Sequence, residues 1–171
     1  MSNYKKAYSL TNHIGPLKKD CGKICLRACC ESDKNRGMLL FPGEEELFHS
    51  TDDSWYNIKD TNIILSDGSR IKLFTCKGKC AREKRPLACR IFPLMPYITE
   101  KSILEIRLDP KSVKICPLSY DVDKYQIQEE FIDSLYDVFE LLIENDNVLE
   151  FINILSEDYD RSGDLIWHSH G

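Results

Sequence analysis

The stretch TNIILSDGSRIKLFTCKGKCAREKRPLACRIFP, residues 61–93, decides the fold. Its first half reads strand, turn, strand. Ile63 to Leu65 is apolar, Asp67-Gly68 is a turn signal, and Arg70 to Phe74 alternates before reaching Cys76. Alternation around an Asp-Gly step predicts an antiparallel hairpin, because side chains two apart share a face and glycine admits the positive φ of tight turns. The second half is punctuated by cysteine and proline. Lys77-Gly78-Lys79 joins Cys76 to Cys80, Pro86 opens a short helical turn carrying Leu87, Ala88 and Cys89, and Pro93 stops that turn.

Working outward from this stretch, Tyr97 to Thr99 and Ile103 to Leu108 predict a second hairpin, turning around Glu100 to Ser102. Asp109-Pro110 breaks the strand that follows. Upstream, Met38 to Phe41 is a short apolar strand after the polar loop ESDKNRG. Pro42-Gly43 turns, and GEEELFHS reads as a short helix with acidic residues in its first turn. Residues 1–20 carry Tyr4, Tyr8, Leu10, Ile14 and Leu17. Their later apolar positions fit a short helix or an arm across the core.

The last third changes character. Ile127, Phe131, Leu135, Val138, Phe139 and Leu142 recur at helical spacing, with Glu129, Glu130, Asp133, Asp137 and Glu140 opposite. Asp123 is the expected N-cap. Asn145 to Asn147 interrupts, and Val148, Phe151, Ile152 and Leu155 restart the stripe. A helical hairpin within 123–157 follows, its stripes read as core and its acidic faces as a surface for a protein partner. Beyond Asp158 the tail is polar, with Trp167 its large anchor. The expected architecture is α+β: small antiparallel hairpins around a cysteine-ligated centre, packed with a C-terminal helical hairpin. One domain, 1–171, with a cysteine core at 21–117, accommodates it.

Composition narrows the class. A 171-residue chain with 42 % hydrophobic and 30 % charged residues is long enough to bury its own core. A net charge of -5 argues against a general nucleic-acid binder, although Arg82, Lys84, Arg85 and Arg90 form a basic segment. No apolar run suits a membrane span, and MSNYKKAYSLTNHIGPLKKD lacks the apolar core of a signal peptide. The expectation is a cytoplasmic protein. There is no P-loop, G-x-G-x-x-G or G-x-S-x-G motif.

Eight cysteines stand out: Cys21, Cys25, Cys29, Cys30, Cys76, Cys80, Cys89 and Cys116. In a reducing compartment thiols read as ligands rather than staples. The first group is C-x3-C-x3-C-C. On a helix it would place Cys21, Cys25 and Cys29 near one face; as a loop it would wrap a centre, with Gly22 supplying flexibility. The second group is C-x3-C-x8-C, and Cys116 precedes Pro117. Thiolates suit zinc or an iron–sulfur cluster, and four close a tetrahedral site. Eight make two four-ligand sites, or one site with structural thiols left over. Arg90, next to Cys89, is assigned to the cofactor's surroundings with Arg82 and Arg85, offsetting thiolate charge. His13 and His49 stand alone, and His168 and His170 are weak ligand candidates in the tail.

At Cys29-Cys30, Arg85-Pro86, Cys89-Arg90, Phe92-Pro93 and Cys116-Pro117 the chain resembles the YkgJ-type cysteine-rich family, the CxxCxxCC proteins. The resemblance spans residues 21–117, and RPLACRIFP is its most specific part. Two departures are a widened first cluster and charged residues, in place of an Ile-Tyr pair, between Cys80 and Arg85. The resemblance implies a zinc- or iron-chelating protein. Because the family includes a flagellin lysine N-methylase, a redox or methyl-transferring enzyme is the second expectation. A zinc-stabilised structural or partner-binding module is the third.

Overall fold

Asp67-Gly68 turns the chain as its residues predict. Gly68 N donates to Leu65 O and Leu65 N to Ser69 O, each at 2.9 Å, while Gly68 takes φ +85°. An L side chain would be strained there, so the glycine sets the turn. The computed structural model describes residues 2–30, 37–48, 55–77 and 80–162. The polar loop 31–36, the connection residues Gly78 and Lys79, the end of GEEELFHS including His49, and Trp167, His168 and His170 lie outside the described residues.

The elements run α1 (Ser2–Thr11), β1 (Met38–Leu39), β2 (Tyr56–Ile64), β3 (Arg70–Cys76), α2 (Leu87–Ile91), β4 (Leu94–Ile98), β5 (Leu104–Leu108), α3 (Pro117–Tyr120), α4 (Glu129–Leu142) and α5 (Asp146–Ser162). Short 3-10 turns cover Cys21–Lys23, Ala28–Cys30, Glu44–Phe48, Arg82–Lys84 and Pro110–Lys114. One sheet has the antiparallel order β1-β3-β2, with Met38 opposite Phe74 and Ile58 opposite Phe74 on the other side. The other is the β4–β5 hairpin, with Leu94 opposite Leu108. Pro96 lies in β4, where an unpaired edge tolerates its missing N–H.

The α+β class and its two hairpins with a C-terminal helical pair are as the residue pattern predicts. The stripes of that pair are spent on the core. Phe131, Leu135, Val138, Phe139 and Leu142 of α4 are buried with Val148, Phe151 and Ile152 of α5. They pack with Tyr4 and Ala7 of α1 and Ile71 and Leu73 of β3. Phe41 joins the layers, its ring centroid 5.3 Å from Phe139 and 5.7 Å from Phe151. Burying such a ring contributes about 2–3 kcal/mol.

Three boundaries differ from expectation. The N-terminal segment forms a helix over its first residues, because Tyr4 and Ala7 face the core three apart. The helix α4 starts at Glu129 behind Gln128, not at Asp123. The cause is tertiary: Gln128 N donates to Pro16 O at 3.1 Å and Gln128 Nε2 to Gly15 O at 2.5 Å, pinning 128 to the N-terminal arm. The last helix runs on to Ser162.

The acidic faces of these helices do not support the expected partner surface. Two carboxylates of α5 instead serve this chain: Glu150 accepts from Ser66 N at 2.8 Å and Ser66 Oγ at 2.7 Å, and Asp160 accepts from Tyr97 Oη at 2.7 Å. No helix among the described residues is long and apolar enough to cross a membrane.

Candidate thiol site

The first cysteine group forms neither a single helix nor an open wrap. Asp20 caps the turn Cys21–Lys23, its carboxylate accepting from Gly22 N at 3.1 Å. Leu26 and Arg27 then take φ +52° and +62°, and a second turn holds Ala28–Cys30. Two successive non-glycine residues at positive φ are costly and reverse the chain between the turns. The side chains at 21, 25 and 29 therefore do not share one helix face. Cys25 Sγ turns to the Cys21 carbonyl at 4.0 Å, and the adjacent Cys29 and Cys30 thiols shift each other's titration in opposite directions.

The second group hangs on more regular elements. Cys76 ends β3, and Cys89 rides on α2, whose start is set by Pro86. Burial raises the Cys80 thiol, and the Arg85 guanidinium opposes that shift. Cys116 precedes α3; burial raises its thiol, against the opposing effects of the Leu118 N–H and the Ser119 hydroxyl. None of the eight cysteines forms a disulfide among the described residues; Cys116 is buried and the others are half-buried.

Electrostatically the thiols fall into two neighbourhoods. Burial pushes Cys89 well above the ordinary thiol range, and the charges of Cys80, Cys76 and Cys30 push it further. Burial raises Cys21, with Cys116 and Cys25 adding to it. The Cys29–Cys30 pair joins the neighbourhoods and splits: Cys29 is raised, while Cys30 is lowered to about 6. The main cause at Cys30 is the hydrogen bond from Cys29, followed, against the opposing effect of burial, by the charges of Arg85 and Arg27. Arg85 faces Cys80, Cys30 and Cys89, and its Nε is buried without an acceptor among the described residues.

This geometry corrects the expectation of a metal centre. Among the described residues, which include all eight cysteines, no group of three or more His, Cys, Asp or Glu side chains is placed to hold a metal ion. Zinc ligation needs four donors about 2.3 Å from one point. These thiols sense one another's charge, but no three of them are placed to share one ion, and Cys25 is turned to the Cys21 carbonyl. The assignments of zinc or an iron–sulfur cluster as cofactor, and of a metal ion or cluster as partner, fall with that finding.

Arg90 occupies a different place from the one its neighbour Cys89 suggested. It is 1 % exposed, and its donors reach Glu83 O at 2.7 Å, Arg85 O at 2.8 Å, Asn12 Oδ1 at 2.8 Å and Tyr8 O at 3.4 Å. It fixes the loop that presents Arg85. Arg82 donates to the Ile14 carbonyl and lies near Cys21, where its charge opposes the upward shift. Two participants were missed from sequence. Arg27 sits in an unremarkable run and reaches Cys30 through its positive-φ turn. Glu44 is one of three consecutive glutamates, yet it alone is fully buried, accepting from Tyr8 Oη and Leu87 N at 2.5 Å and from Phe41 N at 3.1 Å. Nothing in that run distinguishes it.

No family model, curated protein or solved structure matches the chain. Together with the missing ligand cluster, this corrects the resemblance to the YkgJ-type family. The readings that depended on it, a redox or methyl-transferring enzyme akin to flagellin lysine N-methylase and a zinc-stabilised module, have no support in the fold.

Proposed function

We propose that the chain is a redox-responsive protein whose cysteines act as thiols, with Cys30 the nucleophile and Cys29 its resolving partner. The observation that carries this reading is the half-buried, adjacent Cys29–Cys30 pair, with the charges of Arg85 and Arg27 favouring the Cys30 thiolate. A thiolate, not a thiol, attacks disulfides, and cationic surroundings with partial exposure mark a reactive cysteine.

The chemistry is thiol–disulfide exchange with a small-molecule disulfide. The Cys30 thiolate attacks one sulfur, the S–S bond breaks, and the leaving thiolate takes a proton from water. The Cys29 thiol gives up its proton and attacks the Cys30 sulfur of the mixed disulfide, releasing the second small thiol. Two protein thiols are oxidised as one disulfide is reduced to two thiols. A disulfide between adjacent residues is strained and hence easily reduced, which suits a reversible response. Cys21, Cys25, Cys76, Cys80, Cys89 and Cys116 complete the proposed site, and Arg90 holds its loop. Such thiols stay reduced in the cytoplasm, the compartment this reading assigns.

The test is incubation of the reduced native protein with oxidised glutathione, followed by acid trapping and peptide mass mapping. The expected result is a transient glutathione adduct on Cys30 that becomes a Cys29–Cys30 disulfide, and a lasting adduct in Cys29→Ser. Modification of Cys30 no faster than in the urea-unfolded chain would end the proposal.

A further inference from the structure

A cleft of about 440 Å³ has no cysteine among its described lining residues. It is framed by α1, the Glu44–Phe48 turn, the start of β2 and the Arg82–Lys84 turn. Its size falls in the range of small-molecule sites. Phe48, Trp55 and Tyr56 line it, all half-buried. They form one aromatic cluster: Trp55 meets Tyr56 edge-on at 4.9 Å, Phe48 lies 5.6 Å from Tyr56, and the buried Phe74 stacks against Tyr56 at 5.0 Å and 15°. Phe74 covers the cluster from beneath, so the rings are held in place while part of their surface remains open.

The polar groups are distributed to match. Lys5 on α1 and Lys84 on the facing turn are exposed on the wall, against a single carboxylate, Glu83, among the described lining residues. Asn12 also lines the cleft; its Oδ1 accepts from Arg90 at 2.8 Å, a bond that does not use its amide N–H groups. Fixed aromatic faces, two cations and an amide donor select a planar ring bearing an anion.

We infer that this cleft binds a small planar aromatic anion, its ring against Trp55 and Tyr56 and its anionic group between Lys5 and Lys84. A nucleoside monophosphate and an aryl carboxylate share that chemistry. The inference is independent of the thiol reading: it uses no cysteine, and its test is run on the fully reduced protein.

The experiment is an NMR titration of the full chain, following the Trp55 indole N–H, with adenosine monophosphate, 2-naphthoate, adenosine and inorganic phosphate as separate probes. At least one of the two ring-bearing anions should saturate and shift the Trp55 signal; which of them does so identifies the source. Adenosine lacks the charge and phosphate lacks the ring, so each should bind at least about tenfold more weakly. Lys84→Ala, an exposed substitution that leaves the fold intact, should weaken binding about tenfold, and Lys5→Ala similarly. Two results overturn the inference: no saturable shift at Trp55 with either anion, or affinity unchanged in both lysine variants. Equal binding of adenosine and its monophosphate would also overturn it, since the cations would then contribute nothing.

Discussion

The Arg90 guanidinium lies 4.0 Å from the centroid of the Tyr8 ring while one of its nitrogens donates to the Tyr8 carbonyl at 3.4 Å. One side chain thus grips both the ring and the backbone of α1, and from the same position satisfies the carbonyls of Glu83 and Arg85. Two segments distant in sequence, α1 with Asn12 and the 83–90 stretch, are tied by one planar cation. Removing it takes a donor from the carbonyls of Glu83, Arg85 and Tyr8 and from Asn12 Oδ1 at once.

Arg90→Ala should therefore destabilise the protein by about 3–5 kcal/mol, the range for breaking a buried charged network. Arg90→Lys keeps the charge but loses the fork that reaches several acceptors, and should recover less than half of that loss. Urea unfolding followed by far-ultraviolet circular dichroism measures both. A loss below about 1 kcal/mol for Arg90→Ala would show that the network contributes little.

The Glu44 carboxyl makes stability depend on pH. Burial raises it from 4.5 to about 7, against the opposing effect of its hydrogen bonds from Tyr8, Leu87 and Phe41 and the charge of Arg90. Tyr4 and Tyr8 face it from α1 and are themselves pushed up by burial, while the nearby Glu45 carboxylate bears on Tyr4 and Cys89 lies within electrostatic reach. With the folded value above the unfolded one, the folded state binds more protons between these values. Its contribution is complete below about pH 4.5 and is lost as pH rises through about 7, at most ~3 kcal/mol across the window. Urea midpoints of the wild type should fall over that interval. In Glu44→Gln the protein should be less stable at the acid end, with that part of the slope gone.

The residues that set local geometry were legible in the sequence; those that depend on distant partners were not. Asp67-Gly68 announced its hairpin because turn chemistry is local, and the stripe from Phe131 to Leu142 announced a helix because its period is local. Asp123 carried an ordinary cap signal, yet the bonds from Gln128 to Gly15 and Pro16 moved the helix start. The cysteine spacing was compatible with convergence on one ion. Spacing constrains which side chains can meet, but the positive φ of Leu26 and Arg27, which decides where they point, leaves no mark in residue type. Glu44 shows the same limit, since only the fold separates it from Glu45 and Glu46.

Gly37 is required by a close approach rather than by its own backbone angle. A Cβ built there would lie 2.1 Å from the Phe74 carbonyl oxygen and 2.9 Å from its carbon. Both are main chain of β3, beside the β1 pairing of Met38 with Phe74. No rotamer relieves such a clash, so Gly37→Ala must displace β1 and should cost about 1–3 kcal/mol. Hydrogen exchange should show protection lost at the β1–β3 pairing first. Gly68→Ala, with nothing within 4 Å but φ +85°, serves as the contrast: strain without clash, and a cost of about 1 kcal/mol.

The Cys30 thiol should titrate far below an ordinary cysteine. In the folded protein its alkylation by iodoacetamide should rise through a midpoint near pH 6, against about 9 in the unfolded chain. Cys29→Ala removes the donor that contributes most and should raise the midpoint furthest. Cys29→Ser retains a hydroxyl donor and should keep it low, and Arg85→Gln should raise it by an intermediate amount, ahead of Arg27→Gln. The stability consequence has the opposite sign to that of Glu44. A depressed thiol stabilises the fold above the unfolded value near 9 and loses that contribution as pH falls through about 6. The order of the four midpoints separates the two sources of the shift. If Arg85→Gln moved the midpoint and Cys29→Ala did not, the thiolate would be held by the cation alone, and the adjacent thiol would have no part in activating it.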